Sequence, residues 1–450
     1  MSLHSGDRFS EDISYDPDPP RRTVAVIGLG YVGLPLIVEF GSRGFTCIGI
    51  DIDPTKVEAV NAGTSYIPDV LGERVAELVA GGKLSATCDF SQVQEADAII
   101  ICVPTPLRKT KEPDISHILA ACDEIAKYLR PGHMVILEST TYPGTTDEVI
   151  LPLFESAAAD LKVGKDFYLA FSPERVDPGS KEFQTRNICK IVGGVTPECT
   201  RRAVALYGRV IERVVPVSSA RVAETAKLLE NTYRSVNIAL VNEVALMCHY
   251  LGIDVWEVIN AAATKPFGYQ AFYPGPGIGG HCIPLDPYYL TWKARVSGFE
   301  ARIIGLAGEI NSSMPRYVLT LISDALNDDG KCIRGSKILI LGVAYKRNVG
   351  DTRESPAIEI MGLLRAKGAD IRYSDPFVPS LVVDGQTYTS AAADSLRRML
   401  KDVDCVVIIT DHDAFDYGWI GAHARLVVDT RNAMRVRRGG EKPAARIVKL

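Results

Sequence analysis

The residue with the clearest chemical potential is Cys282. It stands in the loop 274–286, PGPGIGGHCIPLD, after two glycines and His281 and outside any apolar run. Glycines at such a place let a substrate approach both the backbone and the thiol. An ordinary thiol titrates at about 8.5, so a nucleophile here needs a neighbour that favours the thiolate or accepts its proton. His281 and Asp286 are within sequence reach. By residue type alone, a loop cysteine with no reaction to perform is an equal alternative.

Two further polar residues stand out in a long apolar-periodic stretch. Lys227 and Asn231 are four apart and share one face of a helix. A lysine with an asparagine one turn away can steady a developing oxyanion or hold a water. The neighbouring set, Ala226, Leu229, Tyr233 and Val236, reads as core. An ordinary solvated helix face is the competing reading of the polar pair.

A third constellation is Gly28, Gly30 and Gly33, spaced G-x-G-x-x-G between a strand pattern and a helix pattern. The first glycine makes the tight turn, the second lets a pyrophosphate approach the backbone, and the third lets helix and strand pack closely. The helix N-terminus then offers free N–H groups and the positive dipole end to phosphate. Asp51 lies 23 residues after Gly28, at the end of the second strand. A carboxylate there accepts from both ribose hydroxyls and repels a 2′-phosphate, which favours NAD over NADP. Asp53, two positions on, reads instead as the cap of a helix starting at Pro54.

The elements that must position these groups alternate. From Thr23, VAVIG, CIGID, ADAIIICVP, MVILESTT, DFYLAFSPE and KIVGG supply short apolar strands between helix-length segments, with the first helix expected from Tyr31 to about Ser42. Such alternation implies a parallel sheet with helices on both faces, placed at 23–216. Residues 219–251 contain neither Gly nor Pro. They predict one helix of roughly thirty residues, ~45 Å long. A helix over DVWEVINAAA, the cysteine loop and a further helical stretch to about residue 314 complete a central all-α domain at 217–316. The last part, 317–450, repeats the first in outline. SKILILGVAY is strand and turn, SPAIEIMGLLRAKG is a helix with Ser355 as N-cap and Pro356 at its first position, and ADIRYSDP is the next strand. After Gly342 come Val343, Ala344 and Tyr345, so the glycine fingerprint is missing from this second copy. The expected fold is therefore α/β: two Rossmann-type doubly wound parallel-sheet domains joined by a long central helix. That helix is also a plausible dimer surface.

Composition agrees with this scale. At about 150 residues per domain, 450 residues give roughly three. Lys plus Arg is 50 against 55 for Asp plus Glu, a net charge of −5, which argues against a general nucleic-acid binder. The ten cysteines include no C-x-x-C pair, so neither a zinc site nor a thioredoxin-like motif is indicated. Most read as small buried hydrophobes, and their dispersal points to a reducing cytoplasm. The first 22 residues are polar and read as a disordered lead, and no run has the length of a membrane span.

The order and spacing of VIGLGYVGLP, ICVPTP, STTYPG, SPER, AETAKLLENTYRSVNIALVNE, GPGIGGHCIPLDP, GDTRES and VVDTRN resemble the UDP-glucose/GDP-mannose 6-dehydrogenase family from residue 23 to 450. SPERVDPG and GPGIGGHCIPLDPYYL are most similar to its UDP-N-acetylhexosamine branch, particularly the UDP-N-acetylglucosamine enzymes. The UDP-glucose branch typically has Ser where this chain has His281, and a second Glu where it has Pro178.

The resemblance implies a four-electron oxidation. The sugar's 6-hydroxyl loses a hydride to NAD and a proton to a base, Cys282 adds to the aldehyde, and the thiohemiacetal loses a second hydride to become a thioester that water cleaves to the uronate. It implies that Cys282 is the nucleophile, that Lys227 and Asn231 stabilise oxyanions, and that Asp286 assists proton transfer or water. Thr140 and Glu174 would stand near the reacting carbon and the hydrolytic water. Gly28, Gly30, Tyr31, Val32, Gly33, Asp51, Lys56, Thr105, Thr140 and Arg353 would line NAD. Glu174, Arg175, Lys227, Asn231, Tyr273, Gly279 and Lys346 would meet the nucleotide sugar, which the C-terminal Rossmann-like domain would hold. Sugar selectivity would lie around 265–273. A homodimer through the central helix, with neither nucleic acid nor membrane as partner, completes the expectation. UDP- or dTDP-glucose remains an alternative substrate, and a two-electron hydroxyacid dehydrogenase or a non-catalytic NAD-binding protein an alternative class.

Overall fold

The structure is a computed structural model that describes residues 23–108, 110–176, 185–435 and 443–450. The expected disordered lead lies outside the described residues.

The first sheet has eight strands: β1 Thr23–Ile27, β2 Thr46–Ile50, β3 Leu84–Thr87, β4 Ala98–Ile101, β5 Met134–Leu137, β6 Tyr168–Phe171, β7 Lys190–Gly194 and β8 Val214–Pro216. Their spatial order is β3-β2-β1-β4-β5-β6-β7-β8. Pairing is parallel throughout except between β6 and β7, so the last two strands run against the rest, a reversal that the strand patterns did not reveal. The strands are apolar on both sides because both faces are covered. Val24, Val26, Ile100 and Ile136 enter one core, while Ala25, Ile27, Ile99 and Leu137 enter the other. The covering helices are α1 Gly33–Ser42, α2 Pro54–Asn61, α3 Gly72–Ala80, α4 Ser116–Ala126, α5 Leu151–Ala157 and α6 Pro197–Tyr207. Helix α1 begins at Gly33 and not at Tyr31, since Tyr31 and Val32 are spent on the turn that follows Gly30. Asp53 caps α2, accepting the Thr55 N–H at 2.9 Å.

The long helix, α7 Ala220–Leu251, runs 32 residues, as its unbroken sequence predicts. It is followed by α8 Val255–Ala262, α9 Asp286–Val296 and α10 Arg302–Asp328. The helical stretch expected to stop near residue 314 is thus two helices. The second continues past Pro315, so the expected boundary at 316/317 falls inside it. One missing backbone bond is outweighed by the buried stripe of Met314, Val318, Ile322 and Leu326.

The second sheet is all parallel, with order β10-β9-β13-β14-β15. Its elements are β9 Lys337–Leu341, α11 Pro356–Ala366, β10 Asp370–Ser374, the antiparallel hairpin β11 Ser380–Val383 and β12 Gln386–Thr389, α12 Ala393–Met399, β13 Cys405–Ile408, α13 Tyr417–His423, β14 Leu426–Asp429 and β15 Arg446–Lys449. Ser355 caps α11 as predicted, through the Ala357 N–H. Among the described residues the chain forms two compact units: 23–230 with 288–299, and 231–287 with 300–450. The α/β reading with a helical centre is borne out. No helix among the described residues is long and apolar enough to cross a membrane.

Candidate active site

In the first unit, the glycine turn has the shape a dinucleotide needs. Gly28 has φ +91°, and a Cβ there would lie 2.5 Å from the Cys102 carbonyl oxygen. A Cβ on Gly33 would lie 1.9 Å from the Gly28 oxygen. A Cβ on Gly30 would meet nothing within 4 Å, which leaves the backbone open to a pyrophosphate. Tyr31 is half-exposed beside it and Val32 caps α1 without a side-chain bond. Asp51 is buried at the end of β2. Its Oδ2 accepts the Leu29 N–H at 2.7 Å and Lys56 Nζ at 3.2 Å, and its Oδ1 accepts the Asp53 N–H at 2.9 Å. One carboxylate therefore holds the glycine turn, the start of α2 and Lys56 together. The sequence expectation has Asp51 and Lys56 as separate contacts; here they form an ion pair. Thr105 is buried, and its carbonyl accepts the Tyr289 hydroxyl at 2.7 Å.

Thr140 is half-buried in the loop after β5, and Glu174 in the turn after β6. Glu174 Oε1 accepts the N–H groups of Arg175 and Val176, each at 2.7 Å. Lys227 Nζ donates to the Glu174 carbonyl at 2.7 Å. Arg175 is tied to Glu230 at 2.7 Å and to the Cys189 carbonyl at 2.6 Å. Lys227, Glu174 and Arg175 are thus brought together.

The face assignment on α7 is reversed. Lys227 and Asn231 are buried, while Leu229 and Tyr233, expected in the core, are 59% and 48% exposed. The polar pair can go inward because each member finds a partner there.

Asn231 belongs with the cysteine loop in the second unit. Its Nδ2 donates to Asp286 Oδ2 at 2.5 Å. Asp286 is buried and opens α9, while the Cys282 carbonyl accepts the N–H groups of Leu285 at 3.1 Å and Asp286 at 2.9 Å. Cys282 is half-buried, and no disulfide joins the ten cysteines. The loop is fastened to the turn before α11. The Gly280 N–H donates to the Arg353 carbonyl at 3.0 Å, and a Cβ on Gly279 would lie 2.7 Å from Tyr345 Cβ. Arg353 itself grips Asp351, with its Nη2 2.6 Å from Oδ2, and Lys346 adjoins Tyr345 half-buried. Tyr273 stacks on Trp256 with centroids 5.6 Å apart, and its hydroxyl donates to Asn260 at 2.9 Å.

Several positioning groups were not foreseen. Buried Asn242 accepts the Gly275 N–H at 3.0 Å and donates to Asn311 at 2.9 Å, anchoring the start of the cysteine loop. Buried Glu224 accepts the N–H groups of Gly144 and Thr146, which pins the STTYPG loop to α7. Burial pushes its carboxyl above the usual range, against the pull of those donors. Glu138 and Lys190 lie buried under the strand ends. The available signal was a charged residue ending or opening a short apolar run, as in MVILE and KIVGG.

Sequence models of the UDP-glucose/GDP-mannose dehydrogenase family match in three parts: its NAD binding domain at residues 22–211, its central domain at 221–313 and its UDP binding domain at 339–436. The UDP-N-acetyl-D-glucosamine 6-dehydrogenase of Pseudomonas aeruginosa is 38% identical over 356 residues, covering 79% of this chain and 83% of the relative. The UDP-N-acetyl-D-mannosamine dehydrogenase of Pyrococcus horikoshii is 36% identical over 419 residues, covering 92% and 96%. A solved structure of a UDP-D-ManNAc dehydrogenase from Pyrococcus horikoshii superposes with a TM-score of 0.85 at 33% identity, over 95% of this chain and 98% of that one.

Proposed function

Because the chain belongs to the UDP-glucose/GDP-mannose dehydrogenase family and is an NAD-dependent nucleotide-sugar dehydrogenase, we propose that its substrate is UDP-N-acetylglucosamine, oxidised at carbon 6 to the uronate through a Cys282 thioester. The observation that carries the covalent role is the fastening of the cysteine loop to the turn carrying Arg353 and Tyr345. That contact joins the thiol's loop to the domain matched as UDP-binding. The N-acetylglucosamine assignment rests on His281 before the cysteine, on Pro178 in place of a second carboxylate, and on likeness to the Pseudomonas aeruginosa enzyme.

Bound NAD supplies the hydride acceptor. Gly28, Gly30 and Gly33 admit its pyrophosphate, Asp51 accepts its ribose hydroxyls, and Tyr31, Val32, Lys56, Thr105, Thr140 and Arg353 complete its lining. Cys282 adds to the aldehyde at carbon 6 and holds it as a thiohemiacetal. Lys227 and Asn231 donate to the oxyanion. Asp286 handles the proton, and Glu174 and Thr140 orient the water that cleaves the thioester. Arg175, Tyr273, Gly279 and Lys346 contact the nucleotide sugar.

We also propose a homodimer in a reducing cytoplasm. Leu229, Tyr233, Leu240 and Met247 form an exposed apolar stripe along α7, suited to a second copy of the same helix.

A panel of UDP- and dTDP-sugars with NADH counted per sugar tests the substrate reading. Turnover of UDP-N-acetylglucosamine with two NADH supports it. Turnover of glucose substrates alone overturns the sugar, and one NADH per sugar overturns the four-electron reaction.

A further inference from the structure

Beneath the turn that carries Glu174 lies a charge that the mechanism above does not use. Lys190 opens β7, and its side chain is only 5% exposed. Its Nζ lies 2.9 Å from Glu138 Oε2, 3.5 Å from the Pro173 carbonyl and 3.9 Å from Glu174 Oε2. Glu138 directly follows β5, two residues before Thr140, and its side chain is fully buried. Its other oxygen accepts the hydroxyl of fully buried Tyr207, whose ring lies under the Lys190 Nζ at 5.0 Å. The carboxyl ends of parallel strands are where α/β sheets bind ligands. Lys190 therefore stands where the ends of β5 and β6 meet, below the two loops that carry Thr140 and Glu174.

We propose that Lys190 is a positioning residue of the oxidation site, tying the Glu138 and Glu174 loops together and serving as the counter-charge of the Glu174 carboxylate. This rests on the role for Glu174 given above.

The geometry divides the work on Glu174 between its two oxygens. Oε1 is filled by the N–H groups of Arg175 and Val176, and Oε2 faces Lys190. The other charged groups around this turn are Lys227 on its carbonyl, the Arg175–Glu230 pair, and Glu138, with the buried Cys102 thiol at the end of β4. Two carboxylates share one buried ammonium. Burial raises the Glu138 carboxyl, the Lys190 charge lowers it, and the Glu174 charge raises it again. Lys190 stays protonated although burial opposes it, because Glu138 and Glu174 both favour its charged form. Removing Lys190 then unties the Glu174 carboxylate from the Glu138 loop, whereas Arg, which keeps the charge, retains the tie.

The test is kcat and the KM values for sugar and NAD in the full-length protein, with folding checked by circular dichroism and thermal melting. Lys190→Met lowers kcat by about 10- to 100-fold and leaves the KM for NAD unchanged, because the Glu174 loop loses its tie to the Glu138 loop. Lys190→Arg keeps the charge and recovers most of the rate, which a loss of packing alone would not allow. Should Lys190→Met fail to fold, Glu138→Gln carries the test, because that variant leaves no unpaired buried carboxylate; it lowers kcat by about 3- to 10-fold. A wild-type kcat in folded Lys190→Met and Glu138→Gln overturns the role of Lys190 alone. An undiminished rate in Glu174→Gln overturns the reading of Glu174 on which it rests.

Discussion

The Gly280 N–H donates to the Arg353 carbonyl across 3.0 Å, and this bond ties the cysteine loop to the turn that precedes α11. The two segments are 73 residues apart in the chain. Packing tightens the join, because Gly279 and Gly280 both lie against Tyr345 with no room for a Cβ.

Gly279→Ala places a methyl 2.7 Å from Tyr345 Cβ and 2.9 Å from the Glu354 carbonyl oxygen. Neither can retreat freely, so the loop must shift. The expected cost in stability is about 1–3 kcal/mol. In the proposed mechanism a displaced thiol lowers kcat by about 100-fold. Thermal melts and the NADH assay measure both, and a wild-type kcat would show that the loop's position is not critical.

Asp51→Ala removes the acceptor of the Leu29 N–H and the partner of Lys56. It also removes the proposed ribose acceptor. NAD affinity falls by about 10- to 100-fold, the worth of hydrogen bonds to a charged group. Titration calorimetry with NAD reads this directly; unchanged affinity would confine Asp51 to holding the turn.

Asn231→Ala leaves the buried Asp286 carboxylate without its 2.5 Å donor. Stability falls by about 1–3 kcal/mol. In the proposed mechanism kcat falls with it, while the KM for NAD stays unchanged. A variant that loses stability but keeps kcat would make Asn231 structural only.

Acid should loosen the C-terminal sheet through Asp375. Burial works against the charge of this carboxylate, but the His412 ring at 3.0 Å and the N–H groups of Phe377, Val343 and Ala344 outweigh it. The carboxyl is held below its usual range. His412 Nδ1 accepts the Asn348 N–H, so Nε2 carries the proton given to Asp375. An aspartate whose pKa falls on folding contributes stability that is complete above the unfolded value of about 3.9 and is lost as pH drops through the lower folded value. Asp375→Asn should therefore flatten the decline in melting temperature below pH ~4. An equally steep decline in the variant would place the acid sensitivity elsewhere.

Leu229→Arg puts a charge into the exposed stripe on α7, where Leu229 is 59% exposed and costs the monomer little. If the stripe is a dimer surface, sedimentation of the variant gives a monomer where the parent protein gives a dimer. A dimeric variant would move the interface off this face.

Much of this molecule was legible in the sequence because its signals are local. The G-x-G-x-x-G spacing, the Gly- and Pro-free run of α7, the capping residues Asp53 and Ser355, and the glycines before Cys282 each act within a few residues. Backbone sterics and helix periodicity read such signals without help from the rest of the chain. What only the tertiary structure decided is which groups meet. Asn231 and Asp286 are 55 residues apart, and Lys190 and Glu138 are 52 apart. No spacing rule couples positions so distant. The inward face of α7 was misread for the same reason. Periodicity locates a stripe, but a polar stripe turns inward only where buried partners satisfy it. Those partners, the Glu174 carbonyl and the Asp286 carboxylate, come from segments that the fold alone brings to the helix.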